Sequence, residues 1–281
     1  MGVNIVSILS SSKYSGIKTS KLIKEKYGED VKYYTDLNVL INQSRPNAIS
    51  ICTPADLHYQ HLCQALNNNI PVFCEKPLFW NKNISLEDIK HNLIKLSKYK
   101  NKTIFLNTSN IYFLENIRHE IPDKELIKRF SFRFHTNGVF RGKDIGYDLL
   151  PHGLSMLIKI LGERNISALK KNIVNNNYSC SFNYGDSLIQ FDLSQDDNIS
   201  KELSFDINEK KYIRIQEGDY NKYNVFLKNL DTGILTKIED PFLTHMKCFI
   251  KACKSDRLSI NHDFFDETSY NLRLMGRIIL D

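Results

Sequence analysis

The chain has 281 residues, 42% of them hydrophobic and 25% charged, with a formal net charge of +6. That is the composition of a globular protein with room for one large domain or two ordinary ones. No apolar run reaches the roughly 18 residues that a membrane span needs, and the lysines are interspersed with Asp and Glu rather than gathered on one face as in a nucleic-acid binder. Neither a membrane nor a nucleic acid is therefore an expected partner.

The opening "MGVNIVSILSSSK" lacks the basic region and small-residue cleavage site of a signal peptide, so a cytoplasmic location is expected. Six cysteines, at 52, 63, 74, 180, 248 and 253, include no C-x-x-C pair and no His partner at metal-ligand spacing. Reduced thiols and no metal are the expectation, with Cys52 and Cys74 acting as small hydrophobes inside apolar strands. "KYKNK" (98–102), the densest basic stretch, reads as a solvated helix end.

From the start of the chain, strand-like and helix-like segments alternate. "VNIVSILS" (3–10) is a β-branched run, and "SGIKTSKLIKEKYG" (15–28) follows as a helix with Ile17, Leu22 and Ile23 inward, stopped by Gly28. "VKYYT" leads to a helix at 36–44 with Asp36 as its N-cap. "AISICTP" (48–54) is a buried strand. It precedes a helix at 55–69 with Leu57, His61, Leu62, Ala65 and Leu66 toward the core. "IPVFCE" (70–75) is a third strand, and a Ser-x-x-Asp pattern opens a helix at 85–99 with Leu86, Ile89, Leu93, Ile94 and Leu96 inward. "TIFLNTS" (103–109) is a fourth strand of the same kind. Apolar strands separated by helices predict parallel βαβ units, whose ligands bind at the carboxyl ends of the strands. Thr53, Pro54, Glu75, Lys76 and Asn107 fall along that edge.

Beyond about residue 125 the period changes. "IKRFSFRFHT" (127–136) alternates, with Phe130, Phe132 and Phe134 on one side and Arg129, Ser131, Arg133 and His135 on the other. A helix is predicted over 147–162, preceded by a loop, "NGVFRGKDIGYD" (137–148). Alternating segments then follow from 178 to 239, and helices over 241–255 and 266–280. The expected fold is α/β: a Rossmann-like parallel sheet over 1–110, and an α+β domain with an open, mainly antiparallel sheet over 111–281 whose C-terminal helix packs back on the first domain.

Three features carry chemistry. A lysine at a strand mouth, partly desolvated, can have its pKa lowered toward proton-transfer range. Asp148 and His152 share a helix face four residues apart, where the carboxylate can orient the ring and stabilise its protonated form. With Lys76, they suit removal of a hydroxyl proton while a hydride leaves the same carbon.

"AISICTPADLHYQHLCQALNNNIPVFCEKPL" (48–78) resembles the nucleotide domain of the glucose-fructose oxidoreductase, inositol dehydrogenase and rhizopine catabolism (Gfo/Idh/MocA) family: a strand ending in Thr-Pro, a following His, then Glu-Lys-Pro. The resemblance implies an NAD(P)-dependent oxidoreductase of sugars, inositols or similar polyols and keto-sugars. It also implies homo-oligomers, here formed through the second-domain sheet. It places Lys76 beside nicotinamide and substrate, matches Asp148 and His152 to the family's Asp-x-x-x-His, and implies a cis Lys76–Pro77 bond. The catalytic set is then Lys76, Asp148 and His152. The cofactor set is Ser10, Ser11, Lys13, Cys52, Thr53, Pro54, His58, Glu75, Lys76 and Asn107.

The departures are equally specific. No G-x-G occurs in the chain, and "VNIVSILSSSK" aligns with the family's second strand, so the first strand, Gly-rich turn and helix are expected to be missing. Ser10, Ser11, Ser12 and Lys13 stand where relatives carry a ribose-binding acid, which tilts the cofactor from NAD toward NADP. Ser155 stands where relatives often have Asp. A second class of function follows from the missing turn: a truncated, non-catalytic relative serving as a sugar-binding or partner subunit.

Overall fold

Capping chemistry sets the first boundaries. In the computed structural model, which describes residues 2–219, 222–254 and 262–281, Ser12 accepts from the Ser15 amide to open α1 (Lys13–Tyr27). Gly28, at φ 74°, closes it. Asp36 caps α2 (Leu37–Ser44), and Ser85 and Asp88 cap α4 (Leu86–Leu96) reciprocally. Among these helices run β1 (Ser7–Leu9), β2 (Lys32–Tyr34), β3 (Ile49–Ile51), α3 (Ala55–Asn67), β4 (Val72–Cys74) and β5 (Ile104–Leu106). All their pairings are parallel, but they form two sheets: β1 with β2, and β3, β4, β5 in that order. Among the described residues β1 and β3 share no ladder.

Burial departs from the helical pattern where the sheets are narrow. A pair of three-residue strands offers α1 little to cover, so α1 buries Gly16 alone, and Ile17 and Leu22, expected inward, are at least half exposed. Leu57, Leu86 and Ile94 are likewise exposed, and on α3 it is His58 that is buried, with His61 only partly so. Cys52, expected to be buried, is exposed, because β3 alternates instead of being covered on both faces. Cys74, on the central β4, is fully buried. Residue 255, the end of one predicted helix, lies outside the described residues.

A short helix that the sequence pattern does not mark, α5 (Ile111–Asn116), leads into the second half. There β6 (Arg129–Thr136), β7 (Ile166–Val174), β8 (Asn177–Tyr184), β9 (Ser187–Gln195), β10 (Glu202–Ile207), β11 (Lys210–Asp219), β12 (Lys222–Asn229) and β13 (Leu235–Ile238) form one sheet. Its order is β13-β12-β11-β10-β6-β9-β8-β7. Every ladder is antiparallel except β6–β9. Phe130 and Phe132 are buried while Arg129 and Arg133 face outward, as the alternation requires. The apolar face is covered by α6 (Lys143–Leu161), which starts after Gly142 (φ 56°), so half of the segment expected to be loop is helical.

Two helices tie the halves together. On α7 (Pro241–Lys254), Phe249 packs 5.5 Å from the rings of both Phe73 and Phe105. On the same helix His245 is 1% exposed, with neither ring nitrogen hydrogen-bonded. On α8 (His262–Leu280), Met275 and Ile278 are fully buried, Gly276 abuts Ile89 of α4, and Asn271 donates to the Pro151 carbonyl of α6 at 3.0 Å. One apolar cluster runs from Leu37 to Ile279.

Candidate active site

The ends of β3, β4 and β5 are laced together by main-chain bonds. Glu75 N donates to Ile51 O and Asn107 N to Cys74 O, each at 2.8 Å. The Lys76–Pro77 peptide is cis. Beneath it, the ring nitrogens of His58 lie 2.8 Å from the carbonyl oxygens of Pro77 and Thr53. His58, assigned by resemblance to the cofactor, is therefore a buried strut between two strand ends. Thr53 Oγ1 sits 3.3 Å from His61 Nδ1, and Pro54 is the N-cap residue of α3.

From this edge Lys76 reaches across to α6. Its ammonium donates to the Asp148 main-chain carbonyl at 2.9 Å and pairs with Asp148 Oδ1, with the two side chains 15% and 17% exposed. Asp148 Oδ2 accepts from Gln195 Nε2 at 2.5 Å, and Gln195 Oε1 accepts from the Phe140 amide at 2.9 Å. Both carboxylate oxygens are thus held, and neither by His152. Glu75 accepts from Asn107 Nδ2 at 2.7 Å.

His152 packs edge-on against Phe134 at 5.5 Å, and its buried Nδ1 has no partner. Burial first, and then the charges of Lys76 and Arg214, hold its pKa well below 6.5. The ring is neutral at neutral pH, without the carboxylate contact that the Asp148 spacing allowed. Position i,i+4 puts both side chains on one face, but the carboxylate is drawn to the lysine arriving from β4. Ser155 Oγ donates to the His152 carbonyl at 2.8 Å.

The remaining residues of the cofactor set lie at other strand ends. Ser10 follows β1, and its hydroxyl is 2.6 Å from Ser15 Oγ, while Ser11 and Lys13 are exposed at the mouth of α1. Asn107 Oδ1 is buried without a partner, an acceptor at the end of β5. Gln195 and Arg214 belong to the site although the sequence pattern did not single them out. Gln195, 2% exposed, sits in the buried phase of β9, and Arg214 shares its phase with the buried Tyr212; a polar residue in a buried phase is the signal that would have found both.

The family model described as "Oxidoreductase family, NAD-binding Rossmann fold" (Gfo/Idh/MocA) matches residues 3–108. Among curated proteins, D-glucoside 3-dehydrogenase of Escherichia coli (strain K12) is 32% identical over 63 residues, 22% of this chain and 18% of that protein. Oxidoreductase P35 of Formosa agariphila is 24% identical over 144 residues, 46% and 45% of the two chains. The matches thus span less than half the length of these curated relatives.

Solved structures align over more of the chain. A 3-ketoreductase of Actinomadura kijaniata, in complex with TDP-benzene and NADP, has a TM-score of 0.67 at 13% identity, over 98% of this chain and 88% of that one. UDP-N-acetylglucosamine 3-dehydrogenase of Acidithiobacillus ferrooxidans gives 0.70 at 9% identity, over 98% and 89%. A Gfo/Idh/MocA oxidoreductase of Vibrio cholerae gives 0.67 at 11%, over 100% and 90%. At these identities the likeness is one of fold. Among the described residues no helix is long and apolar enough to cross a membrane, and no cluster of three or more His, Cys, Asp or Glu side chains could hold a metal.

Proposed function

We propose that the chain is an NAD(P)-dependent oxidoreductase of a sugar, inositol or similar polyol or keto-sugar, with Lys76, Asp148 and His152 as its working residues. The carrying observation is the Lys76–Asp148–Gln195 chain of contacts, which aims one cation from the parallel-strand edge at the helix that bears a neutral histidine.

The strand-end half of the site fits a nicotinamide. Asn107 Oδ1 is an unfilled acceptor there, Lys76 stands beside it in the sequence of strand ends, and Glu75 holds the Asn107 amide in place. Ser11 and Lys13 would meet the adenosine end, where a hydroxyl and a cation favour the 2′-phosphate of NADP. When bound, the nicotinamide takes or gives the hydride. Lys76 lowers the cost of negative charge on the reacting oxygen, and His152, uncharged, accepts the hydroxyl proton during oxidation and returns it during reduction. Asp148 and Gln195 position the ammonium.

The pyrophosphate half is less well supplied. No G-x-G occurs among the 281 residues, and in the turn after β1, at the adenosine end, Ser12 spends its hydroxyl on the chain's own Ser15 amide. We therefore expect weak dinucleotide affinity, and this turn favours the second reading, a non-catalytic sugar-binding or partner subunit. Titration of NADPH and NADH, followed by nicotinamide fluorescence, separates the two. Saturable binding with NADPH the tighter ligand supports the oxidoreductase, and no binding up to millimolar cofactor supports the subunit. A homo-oligomer through the outer face of the eight-stranded sheet is part of this proposal. A groove of about 690 Å³ there carries Arg129, Arg133 and Lys170 beside Asp192, Glu202 and Asp206, a mixture that can complement itself across a two-fold axis.

A further inference from the structure

The sheet row that carries Phe134 leads to a cation outside the working trio. Phe134 is in register with Leu203, and Ser204 with Ile213, so Leu203 neighbours Arg214, which in turn faces Leu227. Alternation places Phe134, Leu203, Arg214 and Leu227 on one face, the face on which Phe132, Phe205 and Tyr212 are buried. Arg214 is the charged member of that row.

Its surroundings leave the guanidinium without a partner. Arg214 is only partly exposed, and no hydrogen bond or ion pair engages it among the described residues. Asp240 is near enough to act on its charge, as is Tyr223. Yet the Asp240 oxygens already accept from the Tyr223 hydroxyl and, at 2.8 Å, the Phe242 amide. Withdrawing a guanidinium from water with its planar fork unfilled is costly, and such groups cluster where a ligand supplies the missing acceptors. Arg214 and Lys76 both act on His152, so the two cations border the same space. Asp148 also faces that space, but it is already matched to Lys76. One positive charge is left over.

We propose that Arg214 is a substrate-binding residue that receives an anionic substituent, carboxylate or phosphate, carried by the sugar some carbons away from the one that reacts. This rests on the sugar-binding character proposed above, but not on hydride transfer.

The test is calorimetric titration without cofactor, using D-glucuronate, D-glucose 6-phosphate and D-glucose. The wild-type chain should bind one of the two anions at least about tenfold more tightly than glucose, the scale of charge-assisted hydrogen bonds in a partly dry site. Which anion wins identifies the substituent. R214Q should lose that preference, R214K should retain part of it, and both should melt within a few degrees of the wild type. Wild-type protein that binds neither anion, that binds both no better than glucose, or whose preference survives in R214Q overturns the proposal. Anion preference without any turnover would instead refute the oxidoreductase reading and leave this one standing.

Discussion

Gly153, the residue after His152, is where α6 comes closest to the sheet. A methyl group added there would meet Phe191 Cε1, and would lie 2.5 Å from Phe132 Cδ1 and 2.7 Å from its Cγ. Both are rings of fully packed side chains, Phe132 at 1% and Phe191 at 2% exposure, so neither can yield as a flexible chain end would. Overpacking of this kind costs about 1–3 kcal/mol, while replacing a helical glycine by alanine returns about 1 kcal/mol. With rigid rings on the far side the cost falls in the upper part of its range, and Gly153→Ala should be destabilised by about 1–2 kcal/mol. At roughly 2–4 °C per kcal/mol for a chain of this size, thermal unfolding followed by circular dichroism should show a Tm lowered by about 2–8 °C. Gly276→Ala is the internal control: its new methyl would meet chiefly Ile89 Cδ1, at 2.6 Å, the mobile tip of a side chain. That variant should melt closer to the wild type. A Gly153→Ala protein as stable as the wild type, or more so, would show that α6 is not held against the sheet at this point.

Other outcomes follow from the same geometry. Lys76→Met leaves the Asp148 carboxylate partly buried on Gln195 alone, and should cost about 2–4 kcal/mol in urea unfolding. Asp148→Asn in that background should recover part of the loss, and a double-mutant cycle without coupling would mean that the pair does not form. Burial pushes the His245 pKa down to about 4. Between about 6.5 and 4 the unfolded ring takes a proton that the folded one refuses, so stability falls with falling pH across that window, by up to about 3 kcal/mol. The depressed pKa of His152 acts in the same direction. His245→Phe should flatten the decline, and an unchanged slope would count against the buried neutral ring.

Much of this site was legible because strand ends are legible. The apolar runs at 48–54 and 70–75 with Glu-Lys-Pro behind them located Lys76, and the Phe-x-Phe-x-Phe alternation located the sheet face that His152 meets. What periodicity does not contain is the partner a charged group chooses across 72 residues of chain. Asp148 lies one helical turn from His152 and is taken by Lys76 instead, so the carboxylate does not orient the ring as the spacing allowed. Gln195 was hidden by position: a polar residue closing an alternating strand looks like its exposed end unless its phase is counted. α1 was misjudged for another reason. A hydrophobic stripe shows which face could be buried, but burial also needs a wide enough sheet beneath it.

The bond from Asn271 to the Pro151 carbonyl has a consequence for synthesis of the chain. It joins α6 to a helix translated 120 residues later. Every other described element precedes it in the chain, so Lys76, Asp148 and His152 have all been made by then. Because α8, with Met275 and Ile278 fully buried, packs on both α4 and α6, the helix that presents Asp148 and His152 has no finished seat until α8 docks. A nascent chain can therefore hold Lys76, Asp148 and His152 while their alignment awaits α8, and assembly of the site becomes a late act of folding rather than an early one.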